Sequence, residues 1–319
     1  MNGRRDDTVE YSEKKRFADS FFAPESPSLA LRFGGSTHVG LVRKRNEDQF
    51  AIVHRRRCSE MLQTSLPDDA WSFHNDSAYC LFVADGVGGA ARGDVASSLA
   101  LQTVFELSTR ATNWLMKFTD LDAQEVHERV EAYLDGIQQA FQEHVALHPR
   151  AEGMGTTLTT AVIMPPHMIL VHLGDSRAYL LRQGRLFQMT RDDTLAQDLI
   201  ESGADPKTVR SFRHLLTNSL SADGSGVTSE VLHSELEIGD RILLCSDGLS
   251  DCVARDRLAE ILTGSDPHAS CDQLIEAALA TGGRDNITAV ICHVNAPDSS
   301  ADTTGRRQTT PQPHDPACP

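Results

Sequence analysis

The sequence predicts an α+β protein in which antiparallel sheets are covered by helices, and three observations predict it. Eight short segments rich in branched and aromatic residues read as strands. Several are separated by turns too short for a helical crossover, which requires antiparallel pairing. Separate stretches carry a one-faced apolar pattern at helical spacing. In chain order the strands are expected at 37–42 (THVGLV), 49–54 (QFAIVH), 78–85 (AYCLFVAD), 157–163 (TLTTAVI), 168–173 (MILVHL), 177–184 (RAYLLRQG), 240–247 (DRILLCSD) and 287–294 (ITAVICHV). Between 125 and 145, Val126, Val130, Leu134, Ile137, Phe141 and Val145 recur at intervals that place them on one helix face. VASSLALQTVFEL (95–107) reads as a helix capped by Asp94. A third helix, in SCDQLIEAALATGG (270–283), is expected to start at Ser270 with Gln273 completing a capping box, and to stop at Gly282.

The 319 residues show no internal linker, so a single domain is expected over 33–295. Residues 1–32 form a charged N-terminal extension in which Phe17, Phe21 and Phe22 are candidates to dock on the body. Residues 296–319 are rich in Ser, Thr and Pro and read as a disordered tail. A net charge of −15 argues against a nucleic-acid partner, since phosphate backbones require clustered Lys and Arg. No apolar run reaches the roughly 20 residues of a membrane span, and no apolar segment follows the N-terminal basic residues. A cytoplasmic, monomeric protein without membrane or nucleic-acid partners is the expectation. Seven widely spaced cysteines without a C-x-x-C pair favour reduced, buried thiols over disulfides or a zinc finger.

Chemistry concentrates at strand ends. Asp85 and Asp247 each follow an apolar strand and precede a glycine. Asp175 sits in a tight turn, Asp285 just before a strand, and Glu47 and Asp48 at the entry of another. One Asp-Gly after a strand is ordinarily a turn. Five such sites in one domain are harder to read that way, because crowded carboxylates must either take up protons or recruit cations. Oxygen-only ligation selects magnesium or manganese over zinc. The loop ADGVGGAARGD has neither the G-x-x-x-x-G-K-[ST] of a nucleotide P-loop nor the G-x-G-x-x-G of a dinucleotide site, so its glycines read as sharp turns beside a ligand, with Gly88 and Gly89 letting the chain turn away. No cysteine has an arginine six positions later, no G-x-S-x-G elbow occurs, and His38, His54, His172 and His214 lack a partner motif and read as structural or surface residues. Asp48 reads equally as support for Glu47 or as a strand-end cap.

The ordered set RKRNEDQF, LFVADGVGG, GMGTTLTTAVI, LVHLGDSRAYLLRQG, LLCSDGLSD and GGRDNITAVI, spanning about 36–294, resembles the metal-dependent protein phosphatases of the PPM or protein phosphatase 2C type, in their bacterial form. The resemblance implies an α-β-β-α sandwich of two antiparallel sheets flanked by helices, with two or three Mn2+ or Mg2+ ions at one edge. It implies that Asp85 bridges two ions, that Glu47 and the Gly86 carbonyl serve one and Asp247 and Asp285 the other, and that Asp175 shares a third with Asp247. Arg43, four residues before Glu47, would grip the substrate phosphate with its planar fork of donors. The implied reaction is hydrolysis of phosphoserine and phosphothreonine by in-line attack of a metal-bridging hydroxide, on a phosphoprotein such as a Ser/Thr kinase or its targets.

Two departures stand out. Val87 occupies a position where some members carry a proton-donating His. In the segment 190–232, which takes the place of the family's flap beside the site, Asp193 and Asn218 stand where bacterial relatives often have His and Arg. The excursion 54–77 reads as a long hairpin loop. The rival readings are a catalytically dead regulatory scaffold, against which the complete set Glu47, Asp85, Asp247 and Asp285 argues, and a phosphatase of a small phosphorylated molecule or of a phosphoprotein regulator of transcription.

Overall fold

The computed structural model describes residues 29–57, 63, 76–87, 92–110, 123–222 and 227–297. Phe17, Phe21 and Phe22, the glycines Gly88 and Gly89, most of the 54–77 excursion and nearly all of both tails lie outside them, as do Cys58 and Cys318.

In chain order the elements are β1 (Ala30–His38), β2 (Asp48–Arg57), β3 (Asp76–Val87), α1 (Gly93–Arg110), α2 (Ala123–Leu147), β4 (Gly155–Thr156), β5 (Leu158–Met164), β6 (His167–Leu173), β7 (Arg177–Arg182) and β8 (Arg185–Gln188). There follow α3 (Leu195–Glu201), β9 (Leu220–Ser221), β10 (Glu230–Glu235), β11 (Arg241–Cys245), the single turn α4 (Asp247–Ser250), α5 (Arg255–Leu262), α6 (Pro267–Ala280) and β12 (Ile287–Asn295). One sheet has the order β1-β12-β11-β7-β8; the other runs β10-β6-β5-β3-β4-β9, with β2 also paired to β3. All these pairings are antiparallel.

The period of two along each strand builds four layers. On β3, Cys80, Phe82 and Ala84 join Val130, Leu134, Ile137 and Phe141 of α2 in one core, while Leu81 and Val83 turn to the space between the sheets. On β12, Ile287, Ala289 and Ile291 pack with Leu274, Ile275 and Ala278 of α6, while Val290, Cys292 and Val294 face the other sheet. Both faces of the central strands are therefore covered, which is why β5 and β12 are buried along almost their whole length and read as continuous apolar runs. The result is the helix–sheet–sheet–helix sandwich.

Some boundaries differ from the sequence expectations. The strand expected at 37–42 is β1, at 30–38, so the sheet also takes in Ala30, Leu31 and Arg32, ahead of residue 33. Its end is set where the Gly40 N–H turns back to His38 Nδ1 and the Leu41 N–H leaves for the Gly283 carbonyl. The cap of α6 is Asp266, whose carboxylate accepts the His268 N–H at 3.1 Å. Pro267, which has no N–H to lose, takes the first helical position. Ser270 is instead inside the helix, donating to the Ile261 carbonyl at 3.2 Å, so the box with Gln273 does not form. Helix α1 starts at Gly93 and takes Asp94 into its first turn. The short strands β4, β8, β9 and β10 and the helices α3, α4 and α5 were not expected.

Packing of α2 makes a direct stability test. Phe141 is fully buried, whereas Leu147 on the same helix is 78% exposed. Urea unfolding should show Phe141→Ala destabilised by about 3–5 kcal/mol and Leu147→Ala changed by no more than about 0.5 kcal/mol. Equal losses would contradict the packing of α2 on the sheet.

Candidate active site

At one end of the sandwich the C-terminal ends of β3 and β11, the β6–β7 turn, the loop 39–47 and the turn before β12 meet around a cleft. Its lining comprises Arg43, Glu47, Asp85, Gly86, Val87, Asp175, Asp247, Asp285 and Asn286, with His214 and Leu216 from the 190–232 segment. Every site residue expected from the sequence is thus in one place.

The backbone around Asp85 is held from two sides. Its N–H donates to Thr157 Oγ1 at 3.0 Å, and its carbonyl accepts the Thr157 N–H and the Thr156 hydroxyl, each at 2.9 Å. Gly86 and Gly93 touch: a Cβ on Gly86 would lie 2.1 Å from the Gly93 carbonyl oxygen, so only glycine lets α1 begin against the carboxylate loop. Ser97 of α1 then donates to the Glu47 carbonyl at 2.7 Å. A Cβ on Gly248 would lie 2.0 Å from the Asn286 carbonyl oxygen, which explains the glycine after Asp247 and draws Asp247 and Asp285 together.

Asp85, Asp175 and Asp247 each bring one carboxylate oxygen within 4.8 Å of the other two, a group that can hold a divalent cation. Burial, then the charges of Asp48, Asp247, Asp175 and Asp285, push the Asp85 carboxyl well above the ordinary carboxylate range. Burial and then Asp175 and Asp285 do the same to Asp247. Burial, followed by Asp192, raises Asp175 to about 7. These shifts mark a donor set short of positive charge. All its donors are oxygens, which suits a hard cation such as magnesium or manganese. Arg43 donates to Asp285 Oδ2 at 2.7 Å with about half its side chain in solvent, and this bond raises its own pKa.

The structure resolves the role of Asp48. It is 1% exposed, its Oδ2 accepts the hydroxyls of Ser246 and Thr288 at 2.6 Å each, and its Oδ1 has no hydrogen-bond partner. Asp48 therefore ties β2 to β11 and β12 behind the cleft, and burial raises its carboxyl to about 6.

Two residues escaped sequence reasoning. Asn286, 4% exposed, accepts the Glu47 N–H at 2.8 Å and donates to the Val39 and Arg45 carbonyls at 2.9 and 2.8 Å, so one amide staples the loop bearing Arg43 and Glu47 to β12. Its place directly after Asp285 was the only signal. His214 is exposed, in keeping with a surface residue, and its place in the cleft lining is what the sequence did not show.

The other histidines fit the structural reading. His54 stacks on Tyr79, and buried His172 bonds Thr159 Oγ1 and the Arg191 carbonyl. Asp193 and Asn218 meet each other: Asn218 Nδ2 donates to Asp193 Oδ2 at 2.9 Å, and that oxygen also accepts the Gly174 N–H at 3.0 Å. They fasten the root of the 190–232 segment to the turn carrying Asp175. The last residues of that segment, from Glu230, belong to β10.

A family profile described as Protein phosphatase 2C matches residues 60–282. The serine/threonine protein phosphatase PstP of Mycobacterium tuberculosis is 35% identical over 270 residues, which cover 84% of this chain and 46% of that protein. The chain thus spans about half the length of that relative. The serine/threonine phosphatase stp of Listeria monocytogenes is 30% identical over 233 residues, covering 70% of this chain and 88% of that one. Among solved structures, the M. tuberculosis phosphatase PstP/Ppp superposes with a TM-score of 0.65 at 33% identity, over 84% of this chain and all of that one. The catalytic domain of PstP with two manganese ions gives 0.64 at 34% identity over the same shares. Sandwich, carboxylate cleft, profile and relatives agree, and the chain belongs to the protein phosphatase 2C family.

Proposed function

We propose that the chain is a manganese- or magnesium-dependent phosphatase that hydrolyses phosphoserine and phosphothreonine in proteins by in-line attack of hydroxide. One observation carries the reading: five carboxylates and the Gly86 residue share one cleft with an arginine at its side, in a chain of the protein phosphatase 2C family. In this reading Glu47, Asp85 and the Gly86 carbonyl would hold one cation, Asp85, Asp247 and Asp285 a second, and Asp175 with Asp247 a third. Bound there, the cations would supply a water of lowered pKa and offset phosphoryl charge. The chain's own residues do the rest. Arg43 keeps N–H donors beyond the one used on Asp285, and its planar fork suits a phosphoryl oxygen. Asn286 and Asp48 hold the two loops in register. Val87 offers no proton to the leaving oxygen. A relative named a serine/threonine protein phosphatase supports a phosphoprotein substrate; we infer a Ser/Thr kinase or its targets as that substrate, and a monomer inside the cell as the enzyme.

The decisive assay is hydrolysis of an aryl phosphate and a phosphothreonine peptide under a manganese titration. Activity should require the cation and vanish with chelator, and Asp85→Asn and Asp247→Asn should each lose roughly 10²-fold or more in kcat. Undiminished turnover in either variant would remove the carboxylates from the reaction. Arg43→Ala should raise KM about tenfold with a smaller change in kcat, and unchanged kinetics would exclude it from the site.

Stability should also depend on pH with a definite sign. Asp48 and Asp175 titrate near 6 and 7 in the folded protein, against about 4 in an unfolded chain. Between about pH 4 and 7 the folded state holds protons that the unfolded state has released, so metal-free stability falls as pH rises through that window. Thermal unfolding in chelator should show Tm dropping from pH 5 to 8, and saturating manganese should abolish the drop. A flat metal-free profile would show that these carboxyls are not crowded.

A further inference from the structure

The rim of the cleft has a chemistry of its own. The residues lining the cleft on three separate segments each adjoin an exposed cation: Arg43 is followed by Lys44, His214 is preceded by Arg213, and Asp285 is preceded by Arg284. Among the described residues, Lys44, Arg213 and Arg284 make no ion pair. The flap carboxylates Asp193, Asp198 and Glu201, by contrast, are all tied to Arg191. Among the described residues, Asp205 is the exposed flap carboxylate without an ion pair, and it accepts the Lys207 N–H. Three cations without an ion pair therefore stand next in sequence to cleft residues, on a chain whose net charge is −15.

Apolar surface collects at the same place. The exposed large hydrophobic residues described are Leu41, Val42, Leu147, Phe187, Phe212, Leu215 and Ile238. Four of these seven lie within two residues of Arg43 or His214 of the cleft lining. Leu41 and Val42, each 66% exposed, precede Arg43. Phe212 and Leu215, 37% and 50% exposed, bracket Arg213 and His214. Both pairs are held in place. The Leu41 N–H donates to the Gly283 carbonyl at 2.7 Å, and the Leu215 carbonyl accepts the Leu195 N–H at 2.8 Å. Exposed apolar side chains gathered beside a cleft are the kind of surface that marks a contact site.

We propose that this rim is a recognition surface for phosphopeptide segments in which the phosphorylated residue is flanked by acidic and by large apolar residues. The proposal rests on the phosphatase reading above. Lys44, Arg213 and Arg284 would meet the acidic flanks, and Leu41, Val42 and Leu215 the apolar ones. Because the rim charges are solvent-exposed, they act on capture and selectivity and are weakened by salt.

The test compares three phosphothreonine peptides of equal length with manganese present: one with Glu and Leu flanks, one with Lys in place of Glu, and one with Ser in place of Leu. An aryl phosphate serves as a rim-independent control. At low salt, kcat/KM for the Glu/Leu peptide should exceed that of the Lys peptide about tenfold and that of the Ser peptide severalfold, with the first gap closing as salt rises. The double variant K44E/R213E should lose the preference for Glu, and L41S/V42S the preference for Leu, while both turn over the aryl phosphate at the parental rate. Equal kcat/KM on all three peptides, with the aryl phosphate hydrolysed normally, would overturn the rim proposal and leave the phosphatase reading standing. Hydrolysis of none of the four substrates would overturn both.

Discussion

Asp85, Asp175 and Asp247, each half-buried in the cleft, place three carboxylate oxygens within 4.8 Å of one another. Such crowding opposes folding unless the charge is neutralised by protons or cations. The surrounding structure supplies what is needed to keep the groups in place. Asp85 and Asp247 stand at the ends of strands whose both faces are packed, Asp175 in a turn pinned by Asp193, and Asp285 beside the Asn286 staple. Four layers of packing work against electrostatic repulsion at one end of the molecule, and the cleft is the place where the two meet.

The same opposition accounts for the polar residues behind the cleft. Thr156, Thr157, Ser246 and Thr288 are fully buried, and their hydroxyls hold Asp85 or Asp48. Small hydroxyls fit between strands without breaking the ladder: those of Ser246 and Thr288 donate to the Asp48 carboxylate, that of Thr156 donates to the Asp85 carbonyl, and that of Thr157 accepts the Asp85 N–H. A purely apolar core at this end would leave Asp48 without any partner, a costly burial.

The carboxylates were legible in the sequence because each follows or precedes an apolar run and so marks the rim of a strand. The helix face of α2 was legible for the same reason, since burial of Val126, Val130, Leu134, Ile137 and Phe141 imposes its own period. Asn286 was not, because its partners Val39, Arg45 and Glu47 lie about 240 residues away and no local pattern announces an amide with three bonds. The displaced first strand has a comparable cause: β1 is an edge strand, mostly half-buried, with Gly34 and Gly35 in its middle, so its alternation is faint. Ser270 and Asp266 are equally plausible caps by composition, and Pro267 decides between them.

Strand β1 pairs with β12 from Ala30 opposite Asn295 to His38 opposite Ile287. The second end adjoins the loop of Arg43 and the turn of Asp285; the first is eight residues away, about 26 Å along the strand. Polypeptide therefore enters and leaves this sandwich side by side, at the pole remote from the cleft. Ala30 and Asn295 thus stand together about 26 Å from the end of the sheet that carries the cleft, so the two outermost residues of the paired strands share one pole and the carboxylates hold the other.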